Sequence, residues 1–240
     1  MSLLSLTNVS KSFGGVAAVK SVTLTVEAGE IVGVMGPNGS GKTTLFNLVS
    51  GALIPDAGDI LLFGERTNGL AAHQLCRRGL ARTFQLVRPF LGLTVLENVL
   101  VGLGYGRERI SGSSARSRAA ELLHSVGLDR VADRPASNLT VMDRKRLELA
   151  RALATSPKLL LLDEFMAGLT PAETAGAINL IRRLQDGGLT VVLVEHIVWA
   201  LLDVSHRIAV LSAGEKIAEG PPQSVAKDPH VIEVYLGETT

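Results

Sequence analysis

The period of the apolar positions changes along this chain. Up to residue 35, and again over residues 58–64, the pattern is β-rich and largely alternating: Leu4-Ser5-Leu6-Thr7-Asn8-Val9, Val22-Thr23-Leu24-Thr25-Val26 and Asp59-Ile60-Leu61-Leu62-Phe63. Alternation puts one side of each strand on a core and the other in solvent, which predicts an antiparallel sheet. From about residue 86 to 137 the period becomes helical. Leu96, Val99, Leu100 and Leu103 make one apolar stripe, preceded by Thr94 and Glu97 at capping-box spacing. Residues 103–117 are rich in glycine, serine and arginine and predict a loop. Ala119 to Val126 then resumes a helix that stops at Gly127. From Thr140 onward, helical stretches alternate with short apolar runs, as a parallel sheet with crossover helices requires. Near the end, Arg207–Ser212 and Glu215–Glu219 read as a hairpin turning at Ala213-Gly214.

Composition narrows the function classes. A chain of 240 residues with 46% apolar content can bury a large core, enough for one domain with a subdomain. A net charge of +1 provides no electrostatic footprint for nucleic acid. The single cysteine, Cys76, rules out an internal disulfide and suits a reducing compartment. No apolar run approaches the roughly 20 residues needed to span a bilayer. The N-terminus lacks a charged start followed by an apolar stretch, so no signal peptide is expected. Any membrane role would come through a partner.

The candidate chemistry begins at Gly36-Pro37-Asn38-Gly39-Ser40-Gly41-Lys42-Thr43-Thr44, which fits G-x-x-x-x-G-K-[ST] in full. An apolar strand (Glu30 to Met35) precedes it and a helical pattern (Thr44 to Val49) follows. The glycines let the backbone turn several N–H groups inward, and the helix start adds partial positive charge. Lys42 would then reach the β- and γ-phosphates of a nucleoside triphosphate, and the Thr43 hydroxyl would ligate Mg²⁺. Further on, Leu159-Leu160-Leu161-Leu162 reads as a buried parallel strand ending in Asp163 and Glu164. Asp163 is placed to hold Mg²⁺, usually through water, and Glu164 to polarise an attacking water. A second apolar strand, Thr190 to Val194, ends in Glu195-His196, where His196 is positioned as a γ-phosphate sensor.

In this order the motifs resemble the nucleotide-binding subunit of an ATP-binding cassette (ABC) transporter, from Leu3 to Gly237. The resemblance implies an α/β fold. It would be a P-loop NTPase (RecA-like) parallel-sheet core with an antiparallel β-subdomain (1–85 and 155–240) and an inserted α-helical subdomain (86–154) carrying the signature segment. Gly36 to Thr44 match the Walker A motif, Leu159 to Asp163 the Walker B motif, Glu164 the catalytic glutamate and His196 the switch histidine. Gln85, in Arg82-Thr83-Phe84-Gln85, matches the Q-loop glutamine that senses Mg²⁺ and faces the membrane partner. Phe13 stands where the family places an aromatic that stacks on adenine. Taken alone, Phe13 reads as a core aromatic and Gln85 as an ordinary polar residue. The resemblance thus implies ATP, with Mg²⁺ held by Thr43, Gln85 and Asp163.

Softer marks are similar to importer subunits for branched-chain and other hydrophobic amino acids. They are Arg82-Thr83-Phe84-Gln85 followed by Leu93-Thr94-Val95-Leu96-Glu97-Asn98-Val99, then Ala167-Gly168-Leu169-Thr170-Pro171 and the ending Val231 to Glu238. ATPases of lipopolysaccharide export share several of them, which leaves that cargo as the alternative. A soluble ABC ATPase of DNA repair or translation is a third reading. Such proteins usually carry a long coiled-coil insertion or two cassettes in one chain, and neither is present here. The importer resemblance implies a second cassette, identical or different, two membrane permease subunits and a periplasmic or extracellular solute-binding protein, with no nucleic acid. It places the chain at the cytoplasmic face of the inner membrane.

One segment departs from the family. Where the signature, usually LSGGQ, is expected, the chain reads Leu139-Thr140-Val141-Met142-Asp143. The resemblance gives Thr140, Val141 and Met142 a nucleotide contact in trans, on the site of the opposite subunit. Met142 replaces a glycine at a close approach, and Asp143 brings negative charge near a polyphosphate unless Lys145 or Arg146 offsets it. Two readings stand: tolerated drift, because helix-end N–H groups still bind, or a weak second site in an asymmetric pair, with a purely regulatory nucleotide binder as the extreme. Thr170 and Phe165 depart more mildly, standing where aspartate or asparagine and proline are common. Val87, Pro89, Phe90 and Leu91, directly after Gln85, read either as core or as a surface for a coupling helix of the membrane subunit.

Overall fold

The computed structural model describes residues 2–84 and 88–236. The first third of the chain forms strands β1 (Ser2–Phe13), β2 (Val16–Glu27) and β3 (Ile31–Met35), helix α1 (Lys42–Val49), then β4 (Ala57–Leu62) and β5 (Glu65–Arg66). The middle supplies α2 (Ala72–Arg78), β6 (Leu80–Arg82), α3 (Val95–Tyr105), α4 (Gly112–Ser125) and α5 (Val141–Ala154). The last third runs β7 (Leu159–Asp163), α6 (Pro171–Asp186), β8 (Thr190–Val194), α7 (Val198–Val204), β9 (Arg207–Ser212), β10 (Glu215–Gly220), α8 (Pro222–Val225) and α9 (Pro229–Leu236). Two units result, one from both ends of the chain (Met1–Ala72 and Leu161–Thr240) and one from its middle (His73–Leu160).

In the unit built from the ends, one sheet is antiparallel in the order β2-β1-β4-β5. Its alternation holds along β2, where Val22, Leu24 and Val26 are buried. Along β1 the alternation breaks between Leu6 and Val9, yet both are buried. The register shifts there, with Asn8 in the left-handed region at φ 49° and its N–H donating to Thr23 Oγ1 at 2.9 Å. A bulge thus restores the inward face that strict period two would have turned out. The other sheet has β3 paired in parallel with both β8 and β9, β10 antiparallel on the outside of β9, and β7 beside β8. Strands β3, β7 and β8 are buried at every residue, the signature of a sheet covered on both faces. Ala177, Ile178 and Ile181 of α6 and Ala200, Leu201 and Val204 of α7 are buried with them. The tail hairpin turns at Ala213 and Gly214, as expected, with both residues at positive φ.

A polar cluster fastens the start of β3. Arg207 Nε and Nη2 donate to the two Glu30 oxygens at 2.9 and 3.0 Å, and Nη2 also reaches the Thr25 carbonyl at 2.6 Å. Arg207 and Lys216 both pair with Glu219. His206 Nδ1 accepts the Ile31 N–H at 3.0 Å, and Gln185 donates to the Gly29 carbonyl at 2.8 Å. Burial alone would raise the Glu30 carboxyl; the bonds from Arg207 and from the Glu27 N–H outweigh it and hold it below the ordinary carboxylate range. The same bond, working against burial, pushes Arg207 up.

The middle unit is helical. Thr94 caps α3 in a complete capping box with Glu97, as its spacing predicts. The buried face of α3 is turned from the expected stripe: Val95, Asn98, Val99 and Leu103 are inside, whereas Leu96 and Leu100 are only half-buried. The reason is Asn98, fully buried, whose amide accepts the Phe90 N–H at 2.9 Å and donates to the carbonyls of Phe90 at 3.1 Å and Thr94 at 2.9 Å. An asparagine with backbone partners on both sides of its amide can be buried without an unsatisfied group, and it takes the place of an apolar residue. The loop expected over 103–117 shrinks to 106–111, because α3 continues to Tyr105 and α4 starts at Gly112. Ala115, Ala119, Leu122 and Leu123 form the buried face that the serine- and arginine-rich composition obscured. Gly127 then ends α4 at φ 76°.

Candidate functional site

The six-residue loop 36–41 leaves β3 at Met35 and enters α1 at Lys42. Two glycines are imposed by geometry. A Cβ on Gly36, at φ 151°, would lie 2.1 Å from the Leu211 carbonyl oxygen, and one on Gly41, at φ 102°, 2.3 Å from that of Ala18. The loop is anchored from the tail hairpin, where Gly214 N–H donates to the Ser40 carbonyl at 3.1 Å. Lys42 is buried, and its ammonium turns back over the loop to the carbonyls of Gly36 at 2.6 Å and Pro37 at 2.8 Å. Pro37 is half-buried, while Asn38, Gly39 and Thr43 are exposed and Thr44 is half-buried. Helix α1 has no side-chain cap hydrogen bond and no acid in its own first turn, and its start carries the positive end of its dipole.

Beside β3 in the sheet, β8 and β7 end on the same edge. Asp163 closes β7 as a buried carboxylate. Glu164 follows in the left-handed region, at φ 50°. That conformation costs a non-glycine residue on the order of 1 kcal/mol and persists only where its surroundings hold it. They do so here: Glu164 N–H donates to the Val194 carbonyl at 2.9 Å. The turn carries the Glu164 side chain to His196 just beyond β8, with Oε1 and Nε2 2.8 Å apart. A carboxylate only accepts, so the imidazole with its proton on Nε2 makes this bond. Glu164 is 14% exposed and His196 45%, so the pair has one shielded and one open end.

Glu195 lies between Val194 and His196 and is missing from the sequence-based set. It is 3% exposed, and its Oε1 accepts the Met166 N–H at 2.7 Å. Its signal in the sequence is a carboxylate directly after the apolar run Val191 to Val194, a position that places it inside rather than in solvent. Phe165 and Met166 are buried, so the departure at Phe165 is absorbed in the core. Thr170 caps α6 in a capping box with Glu173, a role an aspartate or asparagine could also fill.

Phe13 ends β1 at 47% exposure, with Lys11 Nζ 5.7 Å from its ring centre; it is not a core aromatic. In the middle unit, Thr140 caps α5 by accepting the Asp143 N–H at 3.1 Å, Val141 is exposed and Met142 half-buried. Arg146 stands 3.7 Å from Asp143 and offsets its charge in part. Gln85 and Val87 lie outside the described residues, whereas Phe90 and Leu91 are about half exposed, with Arg151 over the Phe90 ring at 4.9 Å. Phe90 and Leu91 are therefore not core.

A glycine-rich phosphate loop between β3 and α1, with carboxylates on the neighbouring strand ends, defines a P-loop nucleoside triphosphatase. The sequence profile of the ABC transporter family matches residues 19–167, and that of the branched-chain amino acid ATP-binding cassette transporters matches residues 215–239. The chain is 42% identical to the high-affinity branched-chain amino acid transport ATP-binding protein LivG of Escherichia coli, over 98% of each chain. It is 39% identical to BraF, named for the same transport, of Pseudomonas aeruginosa, again over 98% of each. It is also 38% identical to LptB, the lipopolysaccharide export ATP-binding protein of E. coli, over 99% of this chain and 98% of that one. Among solved structures, an ABC transporter cassette in its ADP conformation superposes with a TM-score of 0.90 at 32% identity, covering 99% of both chains. The chain belongs to the ABC transporter family and is one of its ATPases.

Proposed function

We propose that this chain powers import of branched-chain or other hydrophobic amino acids, hydrolysing ATP at the cytoplasmic face of the membrane for separate permease subunits. The observation that carries hydrolysis is the 2.8 Å contact of Glu164 with His196, one strand away from the phosphate loop. The import reading is supported by the profile match over residues 215–239 and by the names of LivG and BraF. LptB, matched over nearly the same length, leaves lipopolysaccharide export as the second reading. Among the described residues no helix is long and apolar enough to cross a membrane, which fits a subunit attached through permeases.

In this reading Gly36 to Thr44 wrap the phosphates of ATP with backbone N–H groups, and Lys42 exchanges its loop carbonyls for the β- and γ-phosphate oxygens. Phe13, exposed at the end of β1, stacks on the adenine. The exposed Thr43 hydroxyl and the buried Asp163 carboxylate make an all-oxygen donor set that fits Mg²⁺, completed by Gln85 and phosphate oxygens. Bound there, Mg²⁺ would neutralise charge on the phosphates. Glu164 orients the in-line water and accepts its proton, while His196 holds the Glu164 carboxylate and reaches towards the γ-phosphate. Thr140, Val141 and Met142 cover the nucleotide of a second cassette, identical or different. Two permeases, docking at Phe90 and Leu91, and a solute-binding receptor complete the assembly. The middle unit serves as the helical subdomain, and no nucleic acid takes part.

The test is the solution mass of Glu164→Gln with and without Mg·ATP, alongside its turnover. Turnover should fall at least a hundredfold with ATP binding retained. An ATP-dependent dimer would show that Leu139 to Asp143 works as a signature. An ATP-bound monomer would assign the standard signature to a sister cassette. Turnover within tenfold of the unmodified chain would remove Glu164 as the catalytic residue.

A further inference from the structure

Three consecutive residues at the end of β8 each hold a different atom of the segment after β7. The Val194 carbonyl accepts the Glu164 N–H at 2.9 Å, Glu195 Oε1 accepts the Met166 N–H at 2.7 Å, and His196 Nε2 meets Glu164 Oε1 at 2.8 Å. The segment needs such holding. Glu164 sits at φ 50°, and the backbone closes behind it through an Ala167 N–H to Glu164 carbonyl bond of 3.2 Å. Of the three contacts, the one from Glu195 is a side chain reaching from a buried position to a backbone N–H that is itself buried. A buried polar group is retained where it is hydrogen-bonded, and Glu195 Oε1 makes that bond to the Met166 N–H.

We propose that Glu195 is a positioning residue for hydrolysis: its bond to the Met166 N–H fixes the 164–167 turn and thereby aims the Glu164 carboxylate. The proposal rests on the reading of Glu164 as the residue that activates water. Glu195 touches neither nucleotide nor water in this account. It acts only through the turn, so its effect belongs on the chemical step and not on ATP binding. The neighbouring phosphate loop has contacts of its own, from Gly214 and from Lys42.

The test uses the full-length chain and two replacements. Glu195→Met keeps the bulk of the side chain and removes the acceptor; Glu195→Gln keeps an amide oxygen as acceptor in its place. Single-turnover hydrolysis should slow by about tenfold to a hundredfold in Glu195→Met, the range a misplaced catalytic group produces. It should recover most of the rate in Glu195→Gln, and the ATP dissociation constant should stay within about twofold in both. In a Glu164→Gln background, adding Glu195→Met should lower the residual rate no further, because a positioning residue has nothing left to position. Wild-type turnover in Glu195→Met, with Glu164→Gln inactive, would overturn the tether alone. Equal losses of rate, ATP affinity and melting temperature in both replacements would make Glu195 structural and also overturn it. If Glu164→Gln hydrolysed ATP normally, the reading of Glu164 would fail, and the proposal with it.

Discussion

At the scale of single residues, space decides more than charge. Gly36 and Gly41 are imposed by carbonyl oxygens of Leu211 and Ala18 that approach to 2.1 and 2.3 Å of where a Cβ would stand. Neither neighbour is a flexible side-chain end that could swing aside. Gly36→Ala should therefore distort the loop, weakening ATP binding at least tenfold, measured by titrating the fluorescence of the sole tryptophan, Trp199, or by calorimetry. An unchanged dissociation constant would show that the loop tolerates the displacement. The motif pattern names these glycines, but the two backbone atoms that impose them come from β2 and from the end of β9, far away in the chain. Glu195 shows the converse. Its carboxylate is plain in the sequence, yet only the adjacency of β8 and β7 reveals that it meets the Met166 N–H.

At the scale of elements, short-range rules worked where the partners are local. The capping box of α3 and the position of the turn in the tail hairpin involve residues within four positions of each other, and both are present as read. The rules failed where a polar group is satisfied across a turn. Asn98 displaces the expected stripe of α3 because all four of its bonds to the 90–94 segment go to backbone groups, which the period of apolar positions does not describe. Asn98→Leu should then destabilise the protein by about 2–3 kcal/mol despite being more apolar, since it strands the Phe90 N–H and carbonyl. Urea unfolding would read this, and a neutral or stabilising effect would show that water replaces the amide.

At the scale of the whole molecule, the cluster around Arg207 links the start of β3 with β2, β9 and β10. Glu30 titrates lower in the folded chain than in the unfolded one. Its contribution is therefore fully present above the unfolded value of about 4.3 and is lost as pH falls through the lower, folded value. Glu30→Gln should cost about 2 kcal/mol at neutral pH and flatten part of the loss of stability below about pH 4.3. Asp56 and Glu97 are lowered as well, by Lys11 and by Thr94, so some acid sensitivity will remain. Denaturant midpoints at pH 7 and pH 3.5 for both proteins would measure the difference. Parallel acid profiles would exclude Glu30 as a contributor.

The amino-acid sequence alone determined the phosphate loop, the acid-ended strand, the histidine after the next strand and the order in which they occur. Each is a contiguous pattern whose chemistry requires particular residue types at fixed spacing. It also determined the two kinds of sheet, because period two and unbroken apolar runs are local properties. The tertiary structure decided what depends on strands meeting: the bulge at Asn8, the burial of Asn98 and the contact between Glu164 and His196. It also decided the hold of Glu195 on the turn between them. Those contacts join residues separated by up to tens of positions, and only hydrogen bonding and packing in the folded chain determine which of them form.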